Sequence, residues 1–238
     1  MRNTLAIFGK EFRTYFTSPM AYIIAAVYLA MSGFFFVQDL SSLQLARLQG
    51  LLGPSGFLLL LIAPILTMRL FAEEQKLGTL ELLLTAPVRD EEVVLGKFLA
   101  ALSILAVMIV LTAYYPVILM LFSNPDLGPI LSGYLGLFLA GACFLAVGLL
   151  ASSFTANQIL AAILGIGILL LFWLISGAAN LVPQYPAVRD ILNYVSLGGH
   201  YSDFLRGVVD TKDVLYYLTF AATCLFFTVR SLETRRWR

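Results

Sequence analysis

Long apolar stretches separated by short polar segments dominate this chain. A helix needs roughly 20 mostly apolar residues to cross the hydrocarbon core of a bilayer. Six stretches approach or exceed that length, at about 19–38, 54–71, 98–122, 129–151, 159–182 and 214–230. Pro64 and Pro116 lie inside two of them, where a membrane helix can accommodate a kink. The pattern predicts an all-α integral membrane protein with six transmembrane helices, forming a single domain over 1–238.

The first segment, 1–18, has the pattern of an amphipathic helix. At a period of 3.6 residues its apolar side chains share one face and its basic ones the opposite face. The apolar face has Leu5, Phe8, Phe12, Tyr15 and Phe16, and the basic face has Arg2, Lys10 and Arg13. We therefore expect a helix lying in the membrane surface, ended by Ser18-Pro19. Its role is either a topology anchor or a contact with a partner.

Composition narrows the class of protein. Hydrophobic residues make up 60% of the chain and charged residues 12%, too few to cover a soluble domain of this size. A net charge of +1 gives no indication of a nucleic-acid partner. One His and the two distant residues Cys143 and Cys224 cannot form a usual zinc shell, so no metal site is expected.

The basic residues predict the orientation of the chain. With six spans, both termini, the segment 69–97 and the turn at 152–158 lie on one side of the membrane. That side has eleven Lys and Arg residues and the other side has four. Because cytoplasmic loops are enriched in Lys and Arg, we expect both termini to be cytoplasmic.

The segment between the second and third spans is the most polar part of the chain. Glu73 and Glu74 follow the second span, and Gly78 permits a sharp change of direction. Residues 79–85 predict two turns of helix, too short to be stable without packing. The leucines available for that packing are Leu80, Leu82, Leu83 and Leu84. Either the membrane surface or a groove in another protein would accommodate them.

The next helix is predicted to begin with Asp90 as its N-cap. Glu91 and Glu92 follow, where their negative charge favours the positive end of the helix dipole. That helix continues through Gly96-Lys97 into the third span.

This chain has no nucleotide-binding loop of the GxxxxGK[ST] type. The GK pairs at Gly9-Lys10 and Gly96-Lys97 are followed by Glu11 and Phe98 instead of Ser or Thr. Any ATP chemistry must therefore come from another polypeptide.

Four segments together resemble ABC-2-type transporter permeases, and most closely the gliding-motility (Gld-type) branch. They are GKEFRTYFTSPMAY, EEQKLGTLELLLTAPVRDEEVVLGKF, ASSFTANQ and HYSDFLRGVVDTKDVLYYLTF, in the expected order and spacing. The resemblance implies a permease subunit that pairs with a second copy or a related permease. It also implies a bacterial or archaeal cytoplasmic membrane and leaves room for a further membrane accessory protein.

The resemblance also implies roles for particular residues. The helix around residues 78–85 would be a coupling helix that docks in a separate ATP-binding subunit, which binds the ATP and Mg. The ATPase-coupling residues would be Glu73, Glu74, Gly78, Thr79, Leu80, Glu81, Leu82, Leu83 and Leu84. Helices two and five would line the path between the two halves. The segment 183–213 would form an outer re-entrant gate with Tyr194, His200, Tyr201, Asp203 and Arg206.

Two other classes of protein stay open. An intramembrane enzyme would need a catalytic pair; Glu73-Glu74 lacks the arginine of the EExxxR motif, and His200 has only Ser196 and Ser202 near it in sequence. A channel or scaffold that works without ATP is the other class. No span has the regular row of charged residues that marks an ion pathway.

Overall fold

The computed structural model describes residues 2–43, 48–85, 88–179 and 184–236; the side chains of residues 2, 41–43, 82, 84–85, 179 and 235–236 are outside the description. The described residues form helices and connections, with no β-strand among them. In chain order the helices are α1 Arg2–Thr17, α2 Pro19–Leu43, α3 Gln49–Lys76, α4 Thr79–Thr85, α5 Asp90–Leu111, α6 Tyr114–Phe122, α7 Leu127–Phe154, α8 Gln158–Ala179, α9 Pro186–Val195, α10 Leu197–Leu205 and α11 Thr211–Arg236.

The predicted number of membrane spans is confirmed. Among the described residues, six helical segments are long and apolar enough to cross a membrane: Pro19–Leu40, Gln49–Lys76, Asp90–Phe122, Leu127–Phe154, Gln158–Ala178 and Thr211–Thr234. The predicted end of the fifth span, at residues 180–182, lies outside the described residues. Several spans are longer than predicted because an apolar run stops at the first charge while the helix continues. At 28 residues, α3 is about 42 Å long and exceeds the roughly 30 Å hydrocarbon core.

Pro116 breaks the third span, whereas Pro64 does not break the second. Pro116 has no N–H to donate to the carbonyl of Thr112, and α5 ends at Leu111 just before that residue. The backbone N–H of Tyr115 and the hydroxyl of Tyr134 donate to this carbonyl instead, at 3.1 and 2.9 Å. The predicted kink is therefore a helix break between α5 and α6, stabilised by a neighbouring span.

The centre of the bundle is formed by α3 and α7. In their most apolar windows 61% and 72% of residues are buried, against 17% for α2 and for α11. Close contact between α3 and α7 depends on Gly148, because a β-carbon there would lie 2.9 Å from the Cα of Pro64. Short α10 packs beside them, where the hydroxyl of Ser132 donates to the carbonyl of Phe204 at 2.7 Å. The peripheral helices expose apolar side chains to the surrounding membrane.

Candidate functional site

We use the term charged end for the part of the bundle where α1, the last turns of α3, α4 and the first turns of α5 meet. Gly78 makes the turn from α3 to α4 with a φ of +71°, a conformation that L side chains rarely adopt. A β-carbon at Gly78 would meet nothing within 4 Å. Glycine is therefore required here by the backbone conformation and not by a lack of space for a side chain. The predicted change of direction is confirmed at this residue.

The helix predicted at residues 79–85 is present as α4. Leu80 is buried in the chain's own core and Leu83 is partly buried against it. Thr79 and Glu81 are exposed, and so is Leu77 just before the turn. The side chains of Leu82 and Leu84 lie outside the described residues. The surface that this hairpin offers to another molecule therefore includes Leu77, Thr79 and Glu81, while Leu80 supports it from inside.

Lys97 of α5 lies at the centre of the charged end. Its side chain is 1% exposed, and its ammonium lies 3.0 Å from Oε1 of Glu11 and 2.8 Å from Oε1 of Glu74. The ammonium also donates to the carbonyl of Leu70 at 2.8 Å and lies 5.3 Å from the ring centroid of Phe71. Three acceptors match the three N–H donors of a lysine. Because Glu11 is on α1 and Glu74 on α3, one buried cation joins three helices.

Lys10 adds a second cation at the rim of this cluster. Its ammonium is 3.6 Å from Oε1 of both Glu11 and Glu74, and its side chain is 67% exposed. Glu74 is mostly buried within the chain, so its predicted contact with an ATPase would require this cluster to open. Glu73 is more exposed and pairs with Arg69 at 2.8 Å.

The N-terminal helix α1 is attached along its length to the spans. A β-carbon at Gly96 would lie 2.8 Å from Cγ2 of Ile7, so glycine lets α1 approach α5 closely. The hydroxyl of Tyr15 donates to the carbonyl of Leu66 at 2.8 Å. Burial raises the pKa of Tyr15, which keeps this hydroxyl protonated as a donor. Tyr15 thus faces α3 instead of the predicted apolar face.

The rest of that predicted face is present. The rings of Phe8, Phe12 and Phe16 follow one another with centroid distances of 5.5 and 4.6 Å. Leu5 and Phe16 are exposed and Phe8 and Phe12 are partly exposed, and such a row of apolar side chains suits a helix that lies in the membrane surface.

The predicted N-cap of α5 is wrong by one residue. The helix begins at Asp90, so its N-cap is Arg89. The backbone N–H of Arg89 donates to Oε2 of Glu92 at 3.3 Å, and the side chain of Asn3 donates to the same oxygen at 3.0 Å. Glu92 therefore fixes the start of α5 and joins it to α1.

At the opposite end of the bundle, His200 anchors the segment predicted as an outer gate. Its Nδ1 lies 2.6 Å from Oδ1 of Asp213 and its Nε2 lies 2.9 Å from the carbonyl of Tyr194. The ring stacks on Tyr216 with a centroid distance of 4.0 Å. His200 and Asp213 are both buried, so they attach the short helices α9 and α10 to the start of α11.

The other predicted gate residues have differing positions. Tyr201 is buried and its hydroxyl donates to the carbonyl of Leu52 at 2.7 Å. The side chain of Tyr194 is exposed, and so is Arg206. Oδ2 of Asp203 lies 4.0 Å from the ammonium of Lys212. The structure therefore brings His200 and Tyr201 into the protein and leaves Tyr194 and Arg206 at its surface.

The residues weighed for an enzyme do not form a catalytic pair in this arrangement. Both ring nitrogens of His200 already have partners. The hydroxyl of Ser202 donates to the carbonyl of Gly199 at 2.7 Å, and that of Ser196 accepts from the amide of Gly199 at 3.2 Å. No hydroxyl weighed at this position is activated by the imidazole.

Sequence reasoning missed the ionic residues Glu11 and Lys97 at one end and Asp213 at the other. Lys97 and Asp213 each lie one residue before a predicted span, and Glu11 lies in the predicted surface helix, so a charge at each position has a simple explanation as an interfacial residue. Their pairing across distant helices gives no local pattern in the sequence.

A family model described as an ABC-2 family transporter protein matches residues 5–230, nearly the whole chain. None of the curated proteins compared with the chain matches it significantly.

Proposed function

The chain belongs to the ABC-2 family of transporter proteins, and from this premise we propose that it couples ATP hydrolysis in a separate ATP-binding subunit to movement of its membrane spans. A permease subunit of an ABC transporter is the function that the family and the six apolar spans support. The family is generally a non-enzymatic membrane component. The ATP and Mg would be bound by the partner.

The observation that carries the proposal is the connection of α4 to the centre of the bundle. Gly78 joins α4 directly to α3, and α3 packs against α7 in the core. Lys97 ties the end of α3 to α1 and α5 through Glu74 and Glu11. A force applied to α4 would therefore move three helices together, because a displacement of one alone would separate buried opposite charges.

The proposed contact surface follows from exposure. Leu77, Thr79 and Glu81 face outward, and we keep Leu82 and Leu84 as contacts with the ATPase. Leu83 would contact it only through the part of its side chain that the core leaves exposed. Leu80 and Glu74 would act from inside, by holding the hairpin in position. Glu73 is exposed enough to contact a partner, although Arg69 already engages its carboxylate.

The remaining parts of the proposal rest on the family resemblance. The permease would work as a pair with a second copy or a related chain, with helices two and five along the path between them. It would lie in a bacterial or archaeal cytoplasmic membrane with both termini in the cytoplasm. The Gld-type branch and a membrane accessory protein stay predictions, as does the outer gate formed by 183–213.

Co-purification with the ATP-binding subunit tests the coupling role. We expect the double variant Leu77→Asp, Leu82→Asp to insert normally but to lose complex formation, because two carboxylates would have to be buried in an apolar groove. The matched control is Val208→Asp, which places a carboxylate at an exposed apolar position at the opposite end. Undiminished binding of the ATPase by the double variant would contradict the coupling role.

The same preparation tests the alternatives. Conductance in liposomes that contain this chain without the ATPase would favour a channel. For an enzyme, loss of cellular function in His200→Ala without loss of folding would be the expected sign. The positions of both ring nitrogens of His200 favour an anchoring role instead.

A further inference from the structure

A cleft of about 500 Å³ lies between α1, the start of α2, the last turns of α3, and α4. On one side it is lined by apolar side chains, among them Met20, Ile24 and Leu66. On the other side it is lined by charged ones, among them Lys10, Arg69 and Glu73. The cleft therefore has an apolar part and a polar part, as a binding site for an amphiphile requires.

The position of the cleft along the spans indicates which amphiphile is available. The first span begins at Pro19, so Met20 and Ile24 lie in its first two turns. Arg69 and Glu73 lie in the last turns of the second span, at the same end of the bundle as the start of the first span. Charged groups at a span end lie near the lipid headgroups, while the apolar residues further along the span face the acyl chains. Phospholipid is the amphiphile present at this depth.

The cationic side chains of the cleft have donors available for a phosphate. The guanidinium of Arg69 donates to both oxygens of Glu73, from Nε at 2.8 Å and from Nη2 at 3.5 Å. Its Nη1 contacts Ser18 Oγ at 3.3 Å and Met20 Sδ at 3.8 Å. These four contacts leave one of its five N–H groups for a phosphate. The exposed ammonium of Lys10 is 3.6 Å from its nearest described carboxylates. A guanidinium and an ammonium are the side chains that bind phosphate oxygens best.

The charges around the cleft also select the type of headgroup. Among the described lining residues, three cations face three carboxylates: Lys10, Arg69 and Lys97 against Glu11, Glu73 and Glu74. A purely acidic headgroup would bring an uncompensated negative charge beside these carboxylates. A headgroup with both a phosphate and a protonated primary amine would find an opposite charge for each, and its N–H groups can donate to the half-exposed Glu73.

We infer that this cleft binds one phospholipid with a zwitterionic, primary-amine headgroup of the phosphatidylethanolamine type. The phosphate contacts Arg69 and Lys10, and the amine contacts Glu73. An acyl chain lies along Ile24 and Leu66. A lipid at this place contacts α1, α2 and α3 at once, next to the hairpin that carries α4.

Native mass spectrometry of the purified full chain tests the inference without the ATPase, so the result does not depend on the proposed coupling. The delipidated chain is titrated separately with phosphatidylethanolamine, phosphatidylcholine and phosphatidylglycerol of the same acyl composition. We expect one phosphatidylethanolamine to bind about tenfold more tightly than either of the other lipids, because only its amine can donate a charge-assisted hydrogen bond to Glu73.

Two variants localise the site, each with a matched control. Ile24→Trp fills the cleft, whereas Ile23→Trp places the same ring at the neighbouring exposed position outside it. Arg69→Gln removes the phosphate donor, whereas Arg230→Gln removes an exposed arginine that is not among the cleft residues. We expect the first of each pair to lose the preference for phosphatidylethanolamine and the second to keep it.

Two results would overturn the inference. Equal binding of the three lipids by the parent chain would mean that only annular lipid is retained. Retention of the preference by both Ile24→Trp and Arg69→Gln would place the site elsewhere. If Arg69→Gln disturbs folding, as judged by circular dichroism and gel filtration, Lys10→Gln replaces it, since Lys10 is largely exposed.

Discussion

The charged end and the opposite end of this bundle use different kinds of buried polar contact. At the charged end a lysine and two carboxylates join α1, α3 and α5. At the opposite end a single buried carboxylate, that of Asp213, faces the imidazole of His200, and the other contacts are hydroxyl groups that donate to backbone carbonyls and stacked rings, as for Tyr201 with Leu52 and His200 with Tyr216. Separating a lysine from two carboxylates on two other helices is more costly than separating one carboxylate from an imidazole and hydroxyls from carbonyls. We therefore expect the charged end to be the stiffer one.

The two ends also differ in how much of their short helices is buried. Leu80 attaches α4 to the core. In α9, all of whose residues are described, none is buried, although α9 has the strongest separation of polar and apolar sides of the short helices. Its attachment depends on contacts with α8 and on two backbone carbonyls: that of Tyr194, which pairs with His200, and that of Val195, which accepts from the hydroxyl of Tyr216 at 2.6 Å. We conclude that α9 can shift on its neighbours more easily than α4 can.

The largest expected effect on stability comes from removal of Lys97, the central cation of the charged end. Lys97→Met leaves Glu11 and Glu74 buried beside each other, and we expect it to lower the free energy of unfolding by about 3–5 kcal/mol. Unfolding in detergent micelles, followed by circular dichroism, measures the change. Lys10→Met is the control; it removes an exposed ammonium, for which we expect at most about 1 kcal/mol. Equal effects of the two variants would show that the charged end is not held by a buried ion.

A smaller loss is expected at the opposite end. Asp213→Ala removes the partner of His200 Nδ1 and leaves that nitrogen buried, at a cost of about 1–3 kcal/mol in the same unfolding assay. The exposed carboxylate of Asp190 on α9 provides the control variant Asp190→Ala, for which no resolvable loss is expected. A loss at Asp213 as large as that at Lys97 would remove the difference between the two ends.

The smallest expected effect concerns mobility and leaves stability unchanged. Single spin labels replace Leu77 beside α4 and Ile191 on α9, which are 67% and 65% exposed, so solvent access is matched. We expect the label on α9 to give the more mobile electron paramagnetic resonance spectrum, because its helix lacks buried residues. Native Cys143 and Cys224 are buried and should react poorly with the label. Identical spectra at the two sites would contradict our comparison.

The spans could be predicted from the sequence because their signal is local. An apolar run of about 20 residues forms a membrane-spanning helix in a bilayer, whatever it packs against. The turn at Gly78 was predictable for a similar reason, since glycine follows the end of one helical pattern and precedes another. The break near Pro116 follows from its missing N–H, although the choice of Tyr134 as substitute donor depends on the packing of α7.

The ion cluster could not be predicted in the same way. Glu11 and Lys97 are 86 positions apart, and their distance depends on how α1 packs on α5. The orientation of α4 was equally hidden, because the face shared by Leu80, Leu83 and Leu84 could pack either on this chain or on another surface, and the sequence does not distinguish the two. The start of α5 was missed by one residue since two acidic side chains compete as caps, and Asn3 of a distant helix favours Glu92.

The separation of Glu11 from Lys97 along the chain has a consequence for biosynthesis. A ribosome makes the amino-terminal helix first, and 86 further positions must be synthesised before its ionic partner appears. Until then two spans are already being inserted, and α1 has only the membrane surface and contacts with α3, such as that of Tyr15 with Leu66, to hold it in place. Docking of α1 is thus a late step in assembly, which requires the beginning of the third span.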